Sequence, residues 1–387
     1  MKGPFVVVCL TLYLLLYTGC VSFDAQYKGE WQRSEKTSDP YFSVYLIGDA
    51  GYAPVDSSTI VFDHLKKELD AEDANSAIVW LGDNIYPIGL APPSNPYHLL
   101  GKHRLMAQLE TMSDFQGSKF FVPGNHDWYT YGRVGLRREE LLVDSVLAES
   151  PNPNKQQNFF IPDKGCGDPQ IVSLKEDISL LLMDSHWFLN EKARSGDMEV
   201  CDVKNPKQYI EKLQSKIISQ KDKALIVASH HPPYTYAHHG GKFSFSDYLF
   251  PFTQVVNWLY LPLPLSGALF NRVRLRISEQ DVYHPRYKQY KAKLIDALQA
   301  KGRSIVASGH EHTLQLIENQ EQYFIVSGAG TKQNEVTLGK GSKFAIGQKG
   351  YVRILFKNSK RALVQFIVPG YFEEYNNVAF ETMIELD

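Results

Sequence analysis

The chain has 387 residues, 43% of them hydrophobic, and its 41 basic side chains nearly balance its 43 acidic ones. This length and composition suit one large domain with a substantial core. The sequence contains neither a basic run nor a patch of interleaved basic and aromatic residues. We therefore expect no nucleic-acid partner.

The N-terminus carries an apolar run from Phe5 to Tyr17. This run is too short to span a bilayer as a mature helix but has the length of a signal-peptide core, so residues 1–19 are predicted to be a signal peptide. The segment ends Tyr17-Thr18-Gly19-Cys20, which resembles a bacterial lipoprotein cleavage box and predicts a lipid on Cys20. Because tyrosine replaces the usual leucine, cleavage without lipidation is the alternative.

This N-terminus predicts three parts of the chain: the signal peptide, a polar tether over residues 20–40, and a single domain over residues 41–387. We expect the protein in the bacterial periplasm or at the cell surface, attached to a membrane through Cys20. Of the other cysteines, Cys9 leaves with the signal peptide, and Cys166 and Cys201 remain. In an oxidising compartment these two predict one disulfide. Two unpaired, buried thiols are the alternative.

Apolar strand patterns alternate with helical patterns along the chain, which indicates an α/β fold. Helical spacing occurs in four segments: Thr59–Leu69, Tyr97–Met112, Lys207–Asp222 and Lys288–Lys301. Five short apolar runs are predicted to be strands: Val44–Ile47, Ile78–Leu81, Phe120–Val122, Leu225–Val227 and Ile305–Val306. Later strands are predicted at Tyr323–Val326, Tyr351–Phe356 and Leu363–Val368.

A polar cluster comes directly after each of the five short strands. In chain order the clusters are Asp49, Gly82-Asp83-Asn84-Ile85-Tyr86, Gly124-Asn125-His126-Asp127, Ser229-His230, and Gly309-His310-Glu311-His312. Open α/β sheets bind ligands at the carboxyl ends of their strands. The five clusters together predict a two-metal hydrolase site.

The order and chemistry of these clusters resemble the calcineurin-like metallophosphoesterase superfamily, and within it the purple acid phosphatase branch. The superfamily usually begins with Asp-x-His, whereas this chain reads Asp49-Ala50-Gly51. Tyr86, three residues after Asp83, stands where purple acid phosphatases carry a metal-bound tyrosine. The Gly-Asp-Asn-x-Tyr motif is similar to the corresponding motif of the tartrate-resistant members of that branch. The resemblance implies a four-layer α/β/β/α sandwich with a dinuclear metal site at the strand ends.

The resemblance also implies the metal ligands. The first metal would be held by Asp49, Asp83, Tyr86 and His312. The second would be held by Asp83, Asn125, His230 and His310, so that Asp83 bridges the two metals. Phenolate and carboxylate oxygens suit Fe(III), whereas imidazoles and an amide oxygen suit Fe(II), Zn(II) or Mn(II).

Three further residues receive catalytic roles from the resemblance. His126 would face the substrate and stabilise the phosphoryl charge, with Asp127 fixing its tautomer and keeping it protonated. His239 lies nine residues after His230, the spacing at which the tartrate-resistant branch carries another active-site histidine. We expect His239 to donate a proton to the leaving group, with His238 as the rival.

The activity that the resemblance implies is hydrolysis of small phosphate monoesters, by in-line attack of a metal-bound hydroxide, as in acid phosphatases. A phosphodiesterase or nucleotide pyrophosphatase could use the same site. A surface binding protein derived from an enzyme is the third alternative.

Three other features remain. The apolar, proline-interrupted stretch 251–270 is expected to be a lid or pocket wall, with contact to a membrane surface as the alternative. We expect His231 to pack behind the metal ligands. Asp184-Ser185-His186 follows the apolar strand Ile178–Met183 but matches no ligand cluster, so it is interpreted as structural or as part of the pocket rim.

Overall fold

The computed structural model describes residues 21–29, 40–194, 199–254, 256, 258–263 and 266–386. The predicted signal peptide and Cys20 lie outside the described residues, so both stay predictions. In the part of the chain that is described, no helix is both long and apolar enough to cross a bilayer.

The described residues form fourteen strands and nine α-helices, together with five short 3-10 helices. The strands are β1 Gln26–Tyr27, β2 Phe42–Ile47, β3 Ser76–Trp80, β4 Ser118–Phe121, β5 Gln170–Lys175, β6 Ile178–Leu182, β7 Ala224–Ala228, β8 Ile305–Ser308, β9 Leu314–Asn319, β10 Gln322–Ser327, β11 Ser342–Ile346, β12 Tyr351–Asn358, β13 Arg361–Ile367 and β14 Val378–Glu385. The helices are α1 Ile60–Asp70, α2 His98–Glu110, α3 Asn125–Trp128, α4 Gly132–Leu147, α5 Ser185–Leu189, α6 Pro206–Ile218, α7 Phe245–Leu249, α8 Gly267–Ile277 and α9 Pro285–Lys301.

The strands form two sheets. One has six strands in the order β14-β13-β12-β2-β3-β4, and the other has eight in the order β1-β11-β9-β10-β8-β7-β6-β5. Each sheet contains a block of parallel strands: β2, β3 and β4 form one half of the six-stranded sheet, and β6, β7, β8 and β10 lie inside the eight-stranded sheet. The carboxyl ends of these parallel strands therefore share one edge in each sheet.

Alternate residues of the central strands are buried on opposite faces. Val44 and Leu46 of β2 belong to the core between the sheets, whereas Tyr45 and Ile47 belong to the core beneath the helices. Burial on both faces explains why these strands read as continuous apolar runs. Helices α1, α2 and α4 contribute to the outer core on one side and α6 and α9 on the other. The predicted α/β/β/α sandwich is confirmed.

The predicted elements agree with the observed ones to within a few residues. The four predicted helices are α1, α2, α6 and α9, and the three later strands are β10, β12 and β13. Side chains cap α1 and α6 among others: Thr59 Oγ1 accepts from Phe62 N–H, and Asn205 Oδ1 accepts from Gln208 N–H. Each cap satisfies an N–H group that has no partner within the helix.

The start of the predicted tether is part of the fold. Strand β1 pairs antiparallel with β11, and Ser22 exchanges two backbone hydrogen bonds with Val336, at 2.9 and 3.0 Å. A polar segment can join a sheet in this way because the edge strand β11 offers unpaired backbone groups. Residues 30–39 of the predicted tether lie outside the described residues.

The stretch 251–270 connects α7 to α8. Leu263 N–H donates to Leu249 O, and the rings of Phe252 and Phe270 lie 5.1 Å apart. The described part of this stretch thus packs against the two short helices that flank it. Its role as a lid or pocket wall stays a prediction.

The predicted disulfide is present between Cys166 and Cys201, which are 35 residues apart in sequence. Both cysteines are buried, and the Arg133 guanidinium lies beside their sulfur atoms. The bridge ties the irregular segment before β5 to the segment before α6.

Removing this bridge is expected to destabilise the protein. The free energy of unfolding should fall by about 3 to 4 kcal/mol in the double variant Cys166→Ser/Cys201→Ser. The reason is that the bridge joins residues 35 apart in sequence and so restricts the unfolded chain. Denaturant unfolding of the variant and the oxidised wild type measures the difference. A reductant should lower the wild-type midpoint and leave the variant unchanged. Equal midpoints for all samples would contradict the prediction.

Candidate metal centre

Five strands deliver the predicted ligands to one place. Asp49 follows β2, Asp83 follows β3, Asn125 follows β4, His230 follows β7 and His310 follows β8. The first three come from the six-stranded sheet and the other two from the eight-stranded sheet. The site therefore lies where the carboxyl edges of the two sheets meet.

The backbone turns sharply at three of these positions. Asp49, Asp83 and His310 have φ values of 55°, 54° and 69°, in the left-handed region that side chains other than glycine rarely adopt. Each such residue costs on the order of 1–3 kcal/mol, and such strain concentrates at functional sites. The turns direct these three side chains into the space between the sheets.

The candidate ligands of the first metal converge closely. Tyr86 OH lies 2.7 Å from Asp49 Oδ1 and 3.1 Å from His312 Nε2, and that nitrogen lies 3.4 Å from Asp49 Oδ1. A phenol, a carboxylate and an imidazole thus point their donor atoms at a common centre. Position 51 requires a glycine, because a Cβ there would lie 2.4 Å from the backbone of Asn84.

The candidate ligands of the second metal form a matching group. Asn125 Oδ1 lies 3.0 Å from His230 Nε2 and 3.1 Å from His310 Nδ1, and the two imidazole nitrogens are 3.2 Å apart. Asp83 Oδ1 lies 3.4 Å from His230 Nε2. The Asp83 carboxylate also helps to raise the pKa of Tyr86 in the first group, so Asp83 acts on both sets of donors.

Backbone carbonyls fix the orientation of both histidines in the second group. His230 Nδ1 lies 2.8 Å from Leu81 O, and His310 Nε2 lies 2.9 Å from Gln280 O. A ring nitrogen that donates to a carbonyl carries the proton, which leaves the other nitrogen free to bind a metal. The free nitrogens are those that face Asn125.

The electrostatics of the donors suit bound cations. Burial, together with the Asp49 and Asp83 carboxylates, raises the pKa of Tyr86 well above its ordinary value. The phenol can therefore ionise here only if positive charge compensates it. Burial among other histidines lowers the pKa of His310, so its ring is neutral, which is the form that binds metals. The oxygen and nitrogen donors fit a pair of cations.

His126 lies at the site, but Asp127 does not orient it, so that prediction is wrong. His126 Nδ1 lies 2.7 Å from Pro87 O, and its ring packs 4.4 Å from Tyr86. The Asp127 carboxylate instead accepts the backbone N–H groups of Gly124 and Ile85, at 2.7 and 3.0 Å. Asp127 points into the protein because α3 turns successive side chains in different directions, so it holds the loop rather than the imidazole.

The predicted proton donor His239 lies beside the second group of ligands. Its ring centroid is 4.1 Å from that of His310, and its Nδ1 is 2.8 Å from Asp281 Oδ1. Burial disfavours the charged ring, but the hydrogen bond and charge of Asp281 outweigh it and raise the pKa of His239. The rival His238 packs edge-on against Phe243, with ring centroids 5.1 Å apart.

The remaining polar residues pack behind the ligands, as predicted. His231 lies between Ser185 Oγ and Gln280 Oε1, at 2.8 and 2.7 Å. Asp184 caps α5 by accepting Trp187 N–H and also accepts Trp128 Nε1–H, at 2.9 and 2.8 Å.

Sequence reasoning missed two residues that hold His239 in place. Asp281 lies in the loop after α8, away from any strand end, so no motif marks it. Glu311 lies between the candidate ligands His310 and His312, and its Oε1 accepts Gly240 N–H at 3.1 Å and so positions the turn that carries His239. Its place inside a ligand motif was the signal that could have identified it.

Comparison with known proteins agrees with this geometry. The family model described as calcineurin-like phosphoesterase matches residues 42–314. The chain belongs to the calcineurin-like phosphoesterase family. This phosphoesterase is a metal-dependent hydrolase, and the predicted resemblance to the superfamily is confirmed. Purple acid phosphatase 17 of Arabidopsis thaliana is 23% identical over 378 residues, covering 93% of this chain and 91% of that protein, which supports the purple acid phosphatase branch.

One solved structure shares the fold of this phosphoesterase, and a second aligns with it more weakly. GAP50, the anchor in the inner membrane complex of Plasmodium, aligns with a TM-score of 0.51 and 15% identity over 89% of each chain. Purple acid phosphatase PPD1 from yellow lupin, Lupinus luteus, aligns with a TM-score of 0.48 and 15% identity, over 90% of this chain and 55% of that chain.

The new position of Asp127 gives a testable prediction. Asp127→Asn leaves only one oxygen for two buried N–H groups, so the free energy of unfolding should fall by roughly 1–3 kcal/mol. The shape of the pH–rate profile should not change, because the carboxylate does not touch His126. Thermal unfolding and steady-state kinetics test the two parts. A profile shifted along the pH axis at unchanged stability would restore the original role of Asp127.

Proposed function

We propose that this phosphoesterase hydrolyses phosphate monoesters with two metal ions. The observation that carries the proposal is the pair of donor groups linked by Asp83, with the His239–Asp281 pair beside them. The similarity to Purple acid phosphatase 17 supports the same activity. Two cations at such a site act as Lewis acids, lower the pKa of water and neutralise charge on the phosphoryl group.

The chain's own residues then divide the remaining work. Half-exposed His126 faces the site beside Tyr86, where it can donate a hydrogen bond to a phosphoryl oxygen. His239 holds a proton because Asp281 favours the imidazolium, and it delivers that proton to the leaving oxygen. Because a general acid must be protonated, the rate falls as pH rises through the pKa of His239.

The donor set supports an Fe(III) ion paired with Fe(II), Zn(II) or Mn(II). Asp49, Tyr86 and His312 offer two hard, anionic oxygens and one imidazole, a combination that suits a trivalent ion. Asn125, His230 and His310 offer neutral donors that suit a divalent ion.

The disulfide supports an oxidising compartment outside the cytoplasm.

The metal assignment predicts a coloured protein. A tyrosinate bound to Fe(III) absorbs visible light by charge transfer, so Tyr86→Phe should remove the band, while His126→Ala should keep it. The visible spectrum and an elemental analysis of each variant provide the measurement. A colourless, active wild type that contains only zinc or manganese would overturn the Fe(III) assignment and leave the fold unaffected.

Activity on a panel of esters tests both the reaction and the proton donor. The wild type should hydrolyse monoesters faster than diesters. His239→Ala should slow alkyl monoesters by about 10² to 10⁴, while aryl monoesters with a good leaving group change far less. His238→Ala is the matched control and should slow all monoesters equally or not at all.

Two outcomes would contradict this proposal. Faster hydrolysis of diesters or of nucleotide pyrophosphates would favour the second activity that the same site could support. A uniform loss across leaving groups in the His239 variant would show that another group supplies the proton.

A further inference from the structure

A group of exposed apolar side chains lies in the segment between the His239 turn and Asp281. We call it the apolar patch and define it as Trp258, Tyr260, Leu261, Leu269, Val273 and Ile277. Trp258 is 78% exposed and Ile277 71%. Single exposed apolar residues are ordinary, but several large ones in neighbouring segments mark a surface that contacts something else.

Helix α8 shows how the patch is organised. Its buried side consists of Gly267, Asn271 and Leu275. Leu269, Val273 and Ile277 repeat every four residues and form an apolar stripe that faces solvent. The helix is thus anchored by one face and presents a second apolar face outward.

The preceding loop lies next to this helix. Tyr260 packs against Phe250, with ring centroids 5.7 Å apart, and Phe252 packs against Phe270 of α8 at 5.1 Å. The segment 250–252 therefore contacts both Tyr260 and α8, and Trp258 lies two residues before Tyr260 in the same loop. Tryptophan and tyrosine are the side chains enriched where a bilayer meets water.

Charge on α8 indicates which kind of surface it meets. The helix carries three arginines and no acidic residue. Arg274 points inward and lies 3.6 Å from Asp281, whereas Arg272 and Arg276 are exposed next to the apolar stripe. No ion pair links either of them to another described residue. An apolar stripe flanked by arginines complements a bilayer with anionic headgroups.

The start of the described chain enters the fold near the same segment. Ser22 is hydrogen-bonded to Val336, and Thr337 N–H donates to Tyr236 O. Val336 also packs against Ala237, directly before the turn His238–Gly240 that leads to α7. A membrane attachment within residues 1–20 would therefore hold this side of the molecule at the bilayer.

We propose that the apolar patch docks on an anionic lipid bilayer. The stripe of α8 and the aromatic side chains of the loop enter the interface, while Arg272 and Arg276 contact lipid phosphates. Docking does not depend on catalysis, so the proposal stands apart from the activity inferred above. It places the His239 side of the active site next to the membrane, because Arg274 of α8 and His239 share Asp281.

Fluorescence of Trp258 in the full chain tests this proposal. Trp80, Trp128 and Trp187 are buried. The substitution Trp31→Phe removes a further tryptophan, so that Trp258 is the one exposed tryptophan of the described residues in this background. Vesicles of phosphatidylcholine and phosphatidylserine with brominated acyl chains should quench its emission, since bromine acts only on contact. The quenched component should vanish in Trp258→Phe. An N-terminal anchor alone would not produce this signal.

Variants separate the two contributions to docking. Arg272→Gln/Arg276→Gln should lower the equilibrium constant for binding to anionic vesicles about 30-fold and should have little effect on binding to pure phosphatidylcholine. Leu269→Gln/Ile277→Gln should lower it about tenfold or more on both. The matched control is Leu141→Gln/Ile218→Gln, at exposed apolar positions on α4 and α6, which should leave quenching unchanged.

Three outcomes would overturn the proposal. The first is emission that brominated lipid does not change. The second is dimerisation in solution that the stripe variants abolish while lipid has no effect, which would make a second copy the occupant. The third is unchanged quenching together with altered kcat/KM in the stripe variants, which would make the segment a wall of the active site.

Discussion

The structure depends on bringing the carboxyl edges of two sheets within hydrogen-bonding distance of each other. The turns that achieve this leave no space for larger residues: a Cβ on Gly82, where φ is +86°, would lie 2.7 Å from His230 Nδ1. A Cβ on Gly309 would lie 2.7 Å from Asp49 Oδ2. The left-handed backbone at Asp49 is stabilised in the same contact, because its Oδ2 accepts His310 N–H from the other sheet at 2.7 Å. One carboxylate thus joins the sheets and presents its second oxygen to Tyr86.

The buried Asp83 carboxylate shows how charge is compensated at this site. Asp83 is fully enclosed, and although burial disfavours its charge, His230, His126 and the His126 N–H outweigh that cost and hold its pKa well below the usual range. Bound cations would extend the same compensation to Tyr86, whose neighbours are carboxylates. The site is therefore stabilised by the charges that it is built to hold, and the fold and the metal centre are coupled.

Most of the site could be predicted because its residues follow strands. A strand end fixes where a side chain begins, so the motifs at Asp49, Asp83 and His310 were sufficient to locate the donor groups. Asp127 was misread because adjacency in sequence does not give adjacency of side chains within a helical turn. Asp281 was missed because it comes from a loop after α8, whose position depends on packing between α7, α8 and the His239 turn. Sequence periodicity carries no information on such contacts.

The contrast between residues that follow strands and residues on loops also separates two parts of the enzyme. The candidate metal ligands follow buried strands of both sheets, so their positions depend on the core. His239, the predicted proton donor, its partner Asp281 and the arginines of α8 lie on short helices and loops between residues 238 and 281. Because Asp281 bonds His239 and also lies beside Arg274, a shift of α8 on a surface would change the surroundings of His239 without moving a candidate metal ligand. With the roles proposed above, substrate preference and surface attachment would vary together in this segment, while the sheets would keep the metal ligands in place.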